Sequence, residues 1–126
     1  MITNKLVTST STSVPEMVFT ASTTGAALNP PSVVGQISAI TTIILCNKDA
    51  PTLTDETVNS CNVSIYLVKS GQTATTSNII VSNLIVPAGE TVFFSDERII
   101  LDAGDSVWVG TNVASRIAVT VSTMPV

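Results

Sequence analysis

The chain has 126 residues, of which 44% are hydrophobic, 11% charged and 4% aromatic, and its formal net charge is −4. That length suits one domain; the charged fraction is less than half of the roughly 25% usual in soluble domains, its place being taken by Ser and Thr. Such a surface suits a chain that packs against other protein, and the scattered positions of Lys5, Lys48, Lys69, Arg98 and Arg116 argue against nucleic acid, which needs clustered cations.

Met1 to Ser9 contain no apolar run of signal-peptide length, and no stretch approaches the ~20 residues of a membrane span. The expectation is therefore a protein made and kept in a cytoplasm, without a membrane partner, in which Cys46 and Cys61 are thiols. Two cysteines without a histidine do not make an ordinary zinc site. Residues 1–35 are the least domain-like part. Thr8 to Ser13 form a Ser/Thr tract with no apolar face, and Asn29-Pro30-Pro31-Ser32 must be extended or turning. Between them, Met17 to Ala21 have the composition of one short strand. The predicted organisation is an extended N-terminal arm, 1–35, with one anchoring strand, followed by a β-sandwich domain, 36–126.

Dense β character begins at Ile37. Ile37–Asn47 and Cys61–Lys69 are rich in β-branched residues, with Val63, Ile65 and Leu67 on one face of the second run. They are expected to be antiparallel partners. One register sets Cys46 opposite Cys61, and a slip of one residue is equally apolar, so that thiol pairing stays conditional. The connection from Lys48 to Ser60 is long for a hairpin and holds Asp49, Asp55 and Glu56, three of the nine carboxylates. Long loops of this kind carry function more often than the strands they join, which makes it a candidate contact surface. A second polar link, Ser70 to Ser77, leads into the last part of the chain.

From Ile79 to Val121, apolar runs alternate with two turn signals, Pro87-Ala88-Gly89-Glu90 and Asp102-Ala103-Gly104-Asp105. The pattern predicts a β meander, with Gly89 and Gly104 supplying positive φ. Ile117, Val119 and Val121 alternate with Ala118, Thr120 and Ser122, as in a strand with one buried face. The fold class is all-β: a single antiparallel β-sandwich or jelly-roll-like domain.

Catalytic chemistry is sparse. Without histidine the usual general base, triad base and commonest metal ligand are missing, and no serine–lysine spacing supports a substitute. Asp102 with Asp105, or Asp96 with Glu97, offer oxygens to a calcium ion, but two-carboxylate turns more commonly hold their own backbone N–H groups. Neither glycine turn belongs to a phosphate-binding loop. No cofactor and no metal are expected, and the chain is not read as an enzyme. Trp108, the single tryptophan, is a candidate interface anchor on a strand.

Several of these pieces recur together elsewhere. Leu45-Cys46-Asn47, Val63 to Val68, Ser77-Asn78-Ile79-Ile80, Val86-Pro87-Ala88-Gly89-Glu90-Thr91 and Leu101 to Ser106 resemble, in order, the layout of small β-sandwich virion proteins of tailed bacteriophages. Gly104-Asp105-Ser106-Val107-Trp108 is similar to a hairpin found in trimeric jelly rolls of other families. The resemblance runs from about Ile40 to Val121. It implies a capsid decoration or cement protein, homotrimeric, located on the virion after synthesis in the host cytoplasm, with the major capsid protein or other virion proteins as partners. A neck, tail or fibre component is the alternative within the particle, and a carbohydrate- or calcium-binding β module the alternative outside it. The contact candidates are Met17, Val18, Phe19 and Thr20 of the arm, Asp49, Leu53, Asp55 and Glu56 of the long loop, and Trp108.

Overall fold

The computed structural model describes residues 1–21, 37–52, 54–55, 58–95 and 98–125. Asn29-Pro30-Pro31-Ser32, Leu53, Glu56 and the Asp96-Glu97 pair lie outside the described residues. Nine strands are present among those described: β1 Ile2–Leu6, β2 Glu16–Thr20, β3 Ser38–Asn47, β4 Cys61–Val68, β5 Ile79–Val86, β6 Thr91–Phe94, β7 Ile99–Leu101, β8 Ser106–Thr111 and β9 Ile117–Pro125. They form an all-β sandwich of two antiparallel sheets. One has the order β1-β9-β3-β6, with β7 continuing beside β3 where β6 ends; the other has the order β2-β8-β4-β5.

The pairings have a simple origin. β1 pairs β9, β2 pairs β8, β3 pairs β6 and β7, and β4 pairs β5. That is one long hairpin, tip at β4–β5, rolled so that β9 also meets β3 and β8 meets β4. The result is the two-Greek-key arrangement of a jelly roll. The stretch from Ile79 to Val121 is therefore not a meander. Its strands form about where the apolar runs stand, but no two consecutive ones pair, because the chain passes to the other sheet at Pro87–Glu90, at Asp102–Asp105 and at Asn112–Arg116.

The expected partnership of Ile37–Asn47 with Cys61–Lys69 is likewise corrected. β3 and β4 belong to opposite sheets, and Cys46 lies across from Thr91 and Ala118, whereas Cys61 lies across from Val86. The Lys48–Ser60 connection crosses from one sheet to the other, as the shorter ones after β5, β7 and β8 also do. An apolar stripe fits a neighbour in the same sheet and a facing sheet equally well, so periodicity did not separate the two cases.

Residues 1–21 contain two strands, one in each sheet, where the sequence reading assigned one. β1 has a single half-buried residue, Thr3, and shows no apolar period; it forms only because β9 offers it an edge. The Ser/Thr tract is folded by its own hydroxyls. Ser9 Oγ donates to the carbonyls of Ser11 and Val14, Thr111 Oγ1 donates to Ser9 O at 2.9 Å, and Tyr66 OH donates to Thr12 O at 2.7 Å. These bonds seat the β1–β2 connection over the outer surface of the smaller sheet.

The core fills the space between the sheets. Ile40, Ile43 and Leu45 of β3 and Val119 and Val121 of β9 face Val63 and Ile65 of β4 and Val107 and Val109 of β8, all buried. At roughly 1.5–3 kcal/mol for each fully buried aliphatic side chain, these contacts dominate the stability of the sandwich. Two turns depend on glycine: Gly89 has φ +75° and Gly104 φ +85°, in agreement with the conformations expected from the sequence. Asp105 acts as the turn signal suggested. Its carboxylate accepts Asp102 N–H and also Ser70 N–H, each at 3.0 Å, tying two connections together.

Candidate interaction surfaces

The sequence-predicted contact residues separate into three groups. Met17 and Trp108 are brought together as cross-strand partners on the outer surface of the smaller sheet. Trp108 is half-buried and donates its indole N–H to Ser106 Oγ at 2.7 Å, while Thr20 Oγ1 donates to Met17 Sδ at 2.7 Å. Val18 and Phe19 instead belong to the core, at 6% and 5% exposure, which leaves Met17 and Thr20 as the surface part of that stretch. The long-loop residues lie away from them, at the opposite end of β8.

There, Asp49 is engaged by the protein itself. Arg116 Nε donates to its Oδ2 at 2.7 Å, Lys48 Nζ lies 3.2 Å from its Oδ1, and Arg116 also donates to Ser60 O at 3.0 Å. Lys48 and then Arg116 hold the Asp49 carboxyl below the usual aspartate range, outweighing its partial burial. Beneath it Asn47, fully buried, donates to Asn59 O at 2.8 Å and Val86 O at 3.0 Å and accepts Asp49 N–H at 3.1 Å. This node fastens the crossing loop to the β5 end and to the β8–β9 turn. Asp55 is exposed, and its carbonyl accepts Thr52 Oγ1 and Val58 N–H.

Charge is distributed unevenly over the sandwich. Among the described residues, Lys5 and Glu16 are the charged side chains that lie within strands; the other described ones lie in connections. Those two meet each other, Nζ to Oε2 at 3.6 Å, and Lys5 also donates to Met17 O at 3.1 Å. They close the edge where β1 of one sheet runs beside β2 of the other. Thr8 donates its backbone N–H and its hydroxyl to the Glu16 carboxylate. Burial works to raise the Glu16 pKa, but the Thr8 donors and Lys5 prevail and hold it below its ordinary value.

Among the described residues, the outer face of the larger sheet carries no charged side chain. Its outward positions are Ile2, Asn4 and Leu6 on β1, Ala118, Thr120, Ser122 and Met124 on β9, Ala39, Thr42, Ile44 and Cys46 on β3, then Thr91 and Phe93 on β6 and Ile100 on β7. Solvated sheet faces ordinarily carry polar and charged residues. Here Ile2, Phe93 and Ile100 stand more than half exposed, at 67%, 63% and 54%.

The edge opposite the Lys5–Glu16 pair is built differently. β5 and the β6–β7 line end their sheets there, and between them opens an apolar cavity of about 210 Å³ lined by Ile65, Ile80, Phe93, Phe94 and Ile99. β5 has no ionisable side chain, and Ile80 and Ile85 are 48% and 61% exposed. Edge strands are usually blunted by charge or proline. A bulge does interrupt this one: Asn83, at φ +50°, donates its N–H to the buried Ser64 Oγ at 3.0 Å.

Among the described residues, no three His, Cys, Asp or Glu side chains come together as a metal-binding group, and no helix is long and apolar enough to cross a membrane. No protein-family model matches the chain, and no curated protein matches it. The uncharged sheet face and the apolar β5 strand were not singled out from the sequence. Which residues share a face is legible only after the strands are placed.

Proposed function

We propose that this chain is a structural protein of a bacteriophage virion, a decoration or cement subunit that stabilises the shell through protein–protein contacts. The observation that carries the reading is the distribution of charge: a jelly roll whose larger sheet presents apolar and uncharged residues to the outside along its described strands. Extended uncharged surfaces of this kind suit a subunit that functions while covered by other protein. The resemblance of the Val86–Thr91 and Leu101–Ser106 turns to small virion proteins adds the particle. Action is then mechanical: many moderate contacts, repeated around a symmetric shell, oppose internal pressure by avidity. No catalytic step is assigned to it.

A neck, tail or fibre position uses the same fold and surfaces and differs in copy number. The carbohydrate and calcium readings have less support, because the single tryptophan is half-buried beside Ser106 and the Asp105 carboxylate is occupied by two backbone N–H groups. The test is quantitative mass spectrometry of purified particles, joined with heating of particles that lack the protein. Copy numbers commensurate with the capsid lattice, and genome release at lower temperature without the protein, are the expected results. A few copies per particle would move it to the neck or tail, and absence from particles would end the reading.

A further inference from the structure

We propose that two copies of this chain pack through the outer faces of their larger sheets, about a twofold axis running close to β3. The pairing does not depend on the virion reading, and it differs from the threefold assembly that the resemblance implies. The second copy is argued from the make-up of the face. Along its described strands the face has no ionic group to compensate a partner's charge, and desolvating an unpaired ion is costly, so its mate is itself uncharged. Threonine hydroxyls on the face are already engaged within the sheet: Thr120 Oγ1 donates to Asn4 Oδ1 at 2.9 Å, and Thr41 Oγ1 lies 3.1 Å from both Ser122 O and Ser122 Oγ. Covering them leaves those donors satisfied, so the mate need supply shape and no hydrogen bonds.

The relief of the face matches its own reverse. β9 is a low strip, where Ala118, Thr120 and Ser122 are half-buried, whereas Phe93 on β6 stands 63% exposed. The register sets Phe93, Ile44 and Thr120 in one row across β6, β3 and β9. A twofold axis along β3 reverses that row: Phe93 of each copy comes down on Thr120 of the other, and Ile44 meets its counterpart. Ile100, Ala39 and Met124 make a second row, in which reversal lays Ile100 on Met124, whose unbranched side chain adapts to the room above Ala39. An axis between β9 and β3 would instead set β6 on β1, with Phe93 against the projecting Ile2 and Leu6, and hold the sheets apart.

The extent suffices for a reversible dimer. With strands about 4.8 Å apart and about 3.3 Å per residue, the overlap of β9, β3 and the β6–β7 line, with the flank of β1, is on the order of 500 Å² per copy. The pair then buries roughly 1,000 Å², the level that a specific interface must reach. Glu90 and Arg98, exposed in the connections at either end of β6, remain at the rim, where interfaces keep their polar residues. The contact is isologous, so it closes at two copies.

Light scattering and native mass spectrometry of the full chain at tens of micromolar test this. The unmodified chain is expected as a dimer. Phe93→Arg and Thr120→Glu each bury two unpaired charges in the symmetric pair, so each alone is expected to be a monomer, with thermal melts verifying that it is folded. Mixed, the two variants set their opposite charges against each other at one contact and keep the original Phe93–Thr120 contact at the other, so heterodimers are expected. Ile85→Glu, on an exposed position of the other sheet, is expected to leave the dimer intact. Cys46 lies on β3 and so beside its counterpart across the axis, whereas Cys61 is sealed; a bismaleimide whose reach matches the sheet spacing of about 10 Å should link the unmodified dimer and leave Thr120→Glu unlinked. A monomeric or trimeric unmodified chain, a dimer indifferent to both face charges, a dimer lost in Ile85→Glu, a mixture that stays monomeric, or a dimer without the Cys46 link overturns the proposal.

Discussion

Gly110→Ala tests how the N-terminal connection is held. A Cβ at Gly110 would lie 2.7 Å from Thr12 O, 3.0 Å from its carbonyl carbon and 3.1 Å from its Cα, all backbone atoms. Restoring ordinary contact requires the connection to lift by about 0.7 Å, at an overpacking cost of about 1–3 kcal/mol. The lift stretches the 2.7 Å bond from Tyr66 OH to Thr12 O out of its good range. Loss of glycine's freedom in the unfolded chain returns about 0.4–1 kcal/mol, so the net expected destabilisation is about 1–2 kcal/mol, or a melting-temperature drop of about 3–10 °C. Tyr66→Phe removes the same bond from the other side and should cost about 1 kcal/mol. In a double-mutant cycle by urea denaturation, the two should fall short of additivity by about 0.5 kcal/mol or more, since each spoils one shared contact. A neutral or stabilising Gly110→Ala, or strict additivity, would refute the seating of Thr12 over the smaller sheet.

Asn47→Leu removes three hydrogen bonds from a fully buried side chain and leaves Val86 O without that donor, so denaturation should register a loss of about 2–4 kcal/mol; a loss under 1 kcal/mol would show that the crossing loop is fastened elsewhere. The lowered pKa values of Glu16 and Asp49 imply stability that is fully present above their unfolded-state values and is lost as the pH falls through the folded ones. The melting temperature should therefore decline below about pH 4.3, and Glu16→Gln and Asp49→Asn should each flatten that decline; unchanged acid limbs in both variants would contradict the assigned pairings. Burial raises the Cys61 thiol pKa, and the side chain is sealed in the core, so thiol reagents at pH 8 should modify it only on unfolding. Half-buried Cys46 stands on the outer face of the larger sheet and should react in the folded chain. Equal rates for the two cysteines would place Cys61 outside the core.

The surface assigned to contact differs from the one suggested by residue type. Aromatic and loop residues drew attention to Trp108 and to Asp49–Glu56, yet Trp108 is half-buried and Asp49 is bound by Arg116 and Lys48. Ile2, Ile100 and Met124 carried no signal of their own in the sequence. Their meaning comes from neighbours distant in sequence: Met124 and Ile100 flank Ala39 from either side, one through β9 and the other through β7.

What the amino-acid order determined alone is local. β-branched runs gave strands, the alternation of apolar residues gave the inward faces of β4 and β9, and Gly89, Gly104 and Asp105 specified their turns, because each depends on the steric and hydrogen-bonding character of a few adjacent residues. Partnership between strands was decided only in three dimensions. An uncharged, alternating strand is compatible with almost any similar neighbour, and nothing within Ile2–Leu6 discloses that β9 will pair with it. The rolled pairing, the crossing of Lys48–Ser60 between sheets and the sorting of charge away from one face and one edge all follow from which strands meet. That choice is made by the joint burial of two apolar faces, a property of the whole chain and of no segment within it.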